Sequence, residues 1–154
     1  MADDVFIFRS SGLVLFSRCY GGEYCAVHPD HNLQAGFLAA LYLFSQEYSE
    51  GNELQAVLFK RIRMDFAVDA AHDVIVVFTN PSDSDPAEIC SQLNQTLNQF
   101  VQKYTNNLGD EVIVKEVFED FEADLHQSKI VCRECQGEIP LILTKEYLAD
   151  YSLY

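Results

Sequence analysis

Basic residues are scarce in this chain. Lys and Arg together number 10 against 24 Asp and Glu, a formal net charge of −14 over 154 residues. Such a field repels phosphate backbones and anionic lipid surfaces, so nucleic acid is excluded as the expected partner. Long hydrophobic runs are missing too. No apolar stretch approaches the ~18 to 20 residues that span a bilayer, and no direct membrane insertion is expected. The opening MADDVFIF sets two acids before a short apolar run, unlike a secretory signal, and lacks the second-position Gly of a myristoylation signal. The expected address is cytoplasmic. A phosphate-binding loop is absent: Gly21-Gly22 lacks a following Lys-Ser/Thr, and GxxxxGK occurs nowhere, so the chain is not itself a GTPase. Neither a nucleophile elbow nor an HExxH pattern occurs. The reading is non-enzymatic, with no cofactor.

Cysteines are few and odd in number: Cys19, Cys25, Cys90, Cys132 and Cys135. With no secretory signal, no disulfide framework is expected, and dispersed cysteines serve by default as small buried hydrophobes. Two clusters carry the alternative, a small zinc- or thiol-dependent protein. Cys19, Cys25, His28 and His31 place four ligand-type residues around a Gly-Gly turn, in a spacing that matches no standard zinc module. Cys132-x-x-Cys135 has the spacing of half a zinc knuckle, with His126 the nearest further ligand. As a redox dithiol it is poorly placed. Gly137 and Pro140 forbid the long helix that would lower a thiol pKa, and Glu134 and Glu138 would raise it. No metal site is assigned.

What is present is a hydrophobic content of 49%, enough for one domain with a sizeable core. Val5–Phe8 and Leu13–Phe16 flank Ser10-Ser11-Gly12 and predict a hairpin. A helix follows over residues 31 to 49, with Asp30 as cap and Gly51 as stop. Leu54–Phe59 predicts a strand. Ile62, Met64, Phe66 and Val68 alternate with Arg61, Arg63 and Asp65, the pattern of a half-buried strand. Val74–Phe78 is apolar throughout, as for a strand covered on both faces. Asp85-Pro86-Ala87-Glu88 opens a second helix, with Asp85 as cap and Glu88 closing a capping box. Its stripe is Ile89, Leu93, Leu97, Phe100, Val101 and Tyr104. A third helix is expected within 110–127, although Val112-Ile113-Val114 prefers a strand. Seven acids and one Lys crowd residues 110–124: a solvated face, or a docking surface for a basic partner. A short terminal helix is expected near residues 144–151. The fold class is α+β: a five-stranded, mainly antiparallel sheet with one helix on one face and two on the other. The expected division is a domain at 1–127 and an appendage at 128–154 that packs on the domain or on a partner.

The first helix, HNLQAGFLAALYLFSQEY, is apolar on two sides. On a wheel of about 100° per residue, Leu33, Phe37, Ala40, Leu41, Phe44 and Tyr48 gather on one side, assigned to the sheet. Ala35, Leu38, Ala39 and Tyr42 lie opposite, with Leu43 on a flank. A helix apolar all round is covered on both sides. Either residues 128–154 fold back over it, through Ile139, Leu141, Ile142, Leu143 and Leu148, or it forms a subunit interface centred on Ala35, Leu38, Ala39 and Tyr42.

The order of elements resembles the longin domain, a profilin-like fold close to the roadblock domain. The resemblance is carried by VFIFRSSGLVLFSR, with Gly12 at the turn, and by DHNLQAGFLAALYLFSQEYSEGNELQAVLFKRIRMDF. In the latter, Asp30, Leu33, Gly36, Phe37, Leu38 and Ala40 match a helix pattern of longin-like proteins of archaea related to eukaryotes. It covers about residues 4 to 125. It implies a homo- or heterodimer, formed with itself or with another longin or roadblock subunit, that binds or regulates a small Ras-like GTPase in a complex of the vesicle-trafficking or signalling kind. Membrane-fusion longins continue into a coiled-coil segment and an anchor; neither is read in this sequence, so a fusion role is not the expectation.

Overall fold

The computed structural model describes residues 1–21, 31–48 and 53–132. Gly12, at φ +89°, turns the chain between strand β1 (Asp4–Phe8) and strand β2 (Val14–Cys19). That backbone region admits glycine without the steric cost of a side chain. Three strands then form a meander: β3 (Ala56–Leu58), β4 (Ile62–Asp69) and β5 (Val74–Pro81). Asp73, at φ +53°, makes the tight turn from β4 to β5, and its Oδ1 accepts a hydrogen bond from the Ser10 N–H at 3.0 Å. β1 pairs with β5 as well as with β2, so the order is β2-β1-β5-β4-β3, antiparallel at every junction. The apolar run Val74–Phe78 thus lies inside the sheet between β1 and β4, covered on both faces.

Alternation splits the sheet into two cores. Phe6, Phe8, Phe66, Ile75 and Val77 face helix α1 (His31–Tyr48), which contributes Ala35, Leu38 and Ala39. Val5, Ile7, Phe16, Val74, Val76 and Phe78 face helices α2 (Pro86–Leu108) and α3 (Phe121–Gln127). The arrangement is the expected one, with one helix on one face and two on the other. The larger core centres on Phe100, whose ring lies 5.3 Å from that of Phe118, 5.0 Å from Phe121 and 4.9 Å from Tyr104. Offset and edge-on rings at such spacings add to the stabilisation from burial alone.

The second helix starts as its sequence dictates. Asp85 Oδ1 accepts from the Ala87 N–H at 3.0 Å, and Pro86 takes the first helical position. The reciprocal half of the capping box differs from expectation: Glu88 Oε1 accepts from Gln92 Nε2 at 3.4 Å, one turn further into the helix. The expected single helix within 110–127 is also corrected. Val114 is extended, a 3-10 turn occupies Lys115–Phe118, and α3 begins only at Phe121. The β-branched run at residues 112–114 resists helix, and Phe118 and Phe121 both turn into the core. Tyr104 donates to Asp120, and Lys103 pairs with both Asp120 and Asp124, tying α2 to the start of α3.

The core runs past the expected boundary at residue 127. Ile130 and Val131 are buried beside Ala2, and the Ala2 N–H donates to the Ile130 carbonyl at 2.9 Å. The appendage from residue 133 onward, including the helix expected near 144–151, lies outside the described residues, as do Asp30 and Gly51.

Candidate interaction surface

The two stripes of α1 are placed the opposite way round from the sequence expectation. Ala35, Leu38 and Ala39 are 0%, 1% and 3% exposed and pack on the sheet, with half-buried Tyr42 against the same core. These residues were expected to form a partner interface; they form the helix's inner face instead. The outer face carries Leu33, Phe37, Phe44 and Tyr48, which are 72%, 56%, 59% and 79% exposed, with Ala40 and Leu43 beside them.

Side-chain size explains the reversal. Two buried alanines, Ala35 and Ala39, let the helix axis come close to the sheet, whereas a stripe of Phe and Tyr would hold it away. At the β1–β2 turn the helix backbone comes near the chain: a Cβ built on Gly12 would lie 3.6 Å from the Gly36 Cα. A helical wheel weighs apolar character and overlooks bulk. The small-residue stripe was the signal for the inner face.

The outer stripe is itself organised. The Phe44 and Tyr48 rings stand 4.9 Å apart, one turn from each other. Tyr42, between the two faces, has its hydroxyl pKa pushed up by burial and, secondarily, by the charges of Glu53 and Asp73. The sheet's free edge is β3, a three-residue strand. Val57 points into the core under α1, and the next residues, Leu58 and Phe59, are 68% and 48% exposed. An edge strand offers a row of N–H and C=O groups to a further strand.

The cysteine and histidine clusters do not assemble within the described residues, where no group of three or more His, Cys, Asp or Glu is arranged to hold a metal. Cys19 is disulfide-bonded, against the expectation of reduced thiols, so its sulfur is not a free thiolate ligand. Cys25, His28 and Cys135, and the side chain of His31, lie outside the described residues. Cys90 is an exposed free thiol. Among the described residues no helix is long and apolar enough to cross a membrane.

No protein-family model matches the chain, and no curated protein matches it. Solved structures do. A roadblock/LC7 domain from Streptomyces avermitilis superposes with a TM-score of 0.53 at 12% identity, covering 68% of this chain and 85% of that one. Myxococcus xanthus MglB superposes with a TM-score of 0.54 at 14% identity, covering 72% and 82%. The fold is of the roadblock and longin type. At these identities the likeness establishes the architecture: a five-stranded antiparallel sheet between one helix and two. What this chain binds has to be argued from its own surface.

Proposed function

We propose that this chain is a non-enzymatic interaction module that pairs through α1 and the β3 edge, and that the pair engages a small Ras-like GTPase. The carrying observation is the outer stripe of α1. Phe44 and Tyr48 stack 4.9 Å apart on that face, Leu33 and Phe37 are exposed on the same helix, and Leu58 and Phe59 are exposed at the open edge of β3. Contiguous exposed apolar surface of this kind marks a protein–protein contact. A second copy is the proposed partner because a two-fold axis sets the same surface against itself, so one exposed apolar face covers its counterpart. The likeness to roadblock folds supports the same reading. The GTPase belongs to the proposal through the resemblance to longin-like proteins associated with such enzymes. A paired module would regulate by preferring one nucleotide state of its partner.

Light scattering after size exclusion, over a tenfold concentration range, tests the pairing. The wild-type chain is expected at twice its monomer mass, and Phe37→Ser/Phe44→Ser at the monomer mass with the thermal midpoint the wild type shows at dilutions where it is monomeric. A wild type that stays monomeric, or a double variant that stays dimeric, overturns it. The GTPase is tested by titrating the dimer into Ras-like GTPases loaded with GDP or with a non-hydrolysable GTP analogue. Equal affinity for both states would remove the regulatory role.

A further inference from the structure

A second exposed apolar surface lies at the opposite edge of the sheet, outside the proposed pairing face. Val112, Val114 and Val117 are 76%, 52% and 37% exposed. Their neighbours in sequence point inward: Ile113 packs on the core and Phe118 is buried within it. The chain thus presents three β-branched side chains to solvent from a backbone fixed on both sides. Upstream, the Gly109 and Asp110 N–H groups bond back to Asn106 and Asn107 at the end of α2. Downstream, the Val117 N–H bonds the Val114 carbonyl at 3.2 Å, and the Phe118 ring stacks in the aromatic core. The 3-10 turn lies against β2, the strand at the far edge from β3. Arg9 closes the same corner. Its backbone N–H bonds the carbonyl of Leu13, another exposed apolar residue, and its Nη2 donates to the Leu108 carbonyl at 2.6 Å.

Charge identifies the occupant. Asp110, Glu111, Glu116 and Glu119 are exposed around the valines, and among the described residues they have no ion-pair partner. The nearby cations are engaged elsewhere: Lys103 with Asp120 and Asp124, and Arg18 with Glu122. Only Lys115 interrupts the acids. An apolar row ringed by uncompensated carboxylates rejects acidic or neutral-polar chains. It suits a segment whose Lys and Arg alternate with apolar side chains. We infer that the surface formed by Val112, Val114 and Val117, within the acids of residues 110–119, docks a basic amphipathic segment of a partner protein. Because the backbone is already fixed, little ordering entropy opposes the contact.

The test uses the full chain and a fluorescein-labelled peptide of about ten residues with alternating Lys and Leu. The comparison peptide has Gly in place of Leu and equal charge. Anisotropy titrations are expected to show the Lys/Leu peptide binding roughly tenfold or more tightly than the Lys/Gly peptide, the worth of burying a few apolar side chains. Val112→Ser/Val114→Ser/Val117→Ser should bring the two peptides to equal affinity. Asp110→Asn/Glu111→Gln/Glu116→Gln/Glu119→Gln should weaken both. Asp83→Asn/Glu88→Gln, which neutralises acids near the start of α2, should leave both unchanged. If the triple variant unfolds, Val114→Ser alone should still narrow the gap. The inference is overturned if the Lys/Leu peptide fails to bind, if the valine variants bind it as wild type does, or if the α2 control weakens binding as much as the quadruple variant. A fall in solution mass on removing the valines would make the surface a self-contact and overturn it equally.

Discussion

Asp4 should make this protein more stable at mildly acidic pH than at neutral pH. It sits on β1 directly across from Thr79 of β5 and Cys19 of β2. Its residue is only 7% exposed, and its Oδ1 has no hydrogen-bond partner; nor has the Thr79 Oγ1. Burial, and secondarily the neighbouring Asp3 charge, push its carboxyl from the ordinary 3.8 up to about 7. The folded chain then holds a proton that the unfolded chain has released. Between about pH 4 and 7 the native state binds more protons, so stability falls as pH rises through that window and levels off above it. At about 1.4 kcal/mol per unit the full effect is roughly 4 kcal/mol, an upper figure because ionisation draws water toward the group. Asp69 and Asp120 act in the opposite sense but in another window. Burial opposes the Asp69 shift, but His72 outweighs it and holds the carboxyl low; Asp120 is held low mainly by the Tyr104 hydroxyl. Both lose their contributions only as pH falls to 3.8 and below. The chain has no Trp, so urea unfolding at pH 5 and 8 is best followed by circular dichroism. Asp4→Asn keeps the shape, removes the proton and can donate to Thr79. It should flatten the pH dependence and gain stability at pH 8. If wild type and variant lose the same stability between pH 5 and 8, the buried carboxyl is not the cause.

The assignment of the two α1 faces makes contrasting predictions. Leu38→Ala should cost about 2–5 kcal/mol in urea unfolding, the range for emptying a filled core site. Phe37→Ser, measured at concentrations where the chain is monomeric, should change stability by less than about 1 kcal/mol. Removing the cap of α2 by Asp85→Ala should cost about 1 kcal/mol and shift the melting temperature down without altering solution mass.

Much of the fold was legible because its signals are local. Gly12 between two β-rich runs, the alternation of Ile62 to Val68 and the Asp85-Pro86 start each depend on a few adjacent residues, and each stands where the sequence placed it. The third helix was less legible because Val112, Ile113 and Val114 oppose helix while Phe118, Phe121 and Leu125 favour one. The outcome was decided by which aromatic side chains reach the core beside Phe100. The faces of α1 were misread for a related reason. Both stripes are apolar, so hydropathy alone does not rank them. Ala35 and Ala39 win the inside because they permit the closest approach, and Phe37, Phe44 and Tyr48 are left outside. That error moved the candidate contact to the wrong side of the helix while leaving the helix itself correctly placed. Asp4 was legible as an acid at a strand's start, but its burial depends on β2 and β5 flanking it, which no local pattern reports.

The two proposed contacts should respond to salt in opposite directions, which separates them in one protein. Pairing through α1 brings together two chains of −14 each, so the apolar gain must overcome repulsion between like charges. At ~0.01 M salt that repulsion reaches across ~30 Å, and at ~0.15 M across only ~8 Å. Raising salt over this range should therefore strengthen the dimer, lowering its dissociation constant several-fold in sedimentation or light-scattering titrations. The surface around Val112, Val114 and Val117 draws a basic segment by attraction, so the same change should weaken binding of the Lys/Leu peptide. If pairing weakens with salt, ion pairs rather than the Phe37–Phe44–Tyr48 stripe hold the dimer. If peptide binding is indifferent to salt, the carboxylates of residues 110–119 take no part, and the choice of a basic partner falls with them.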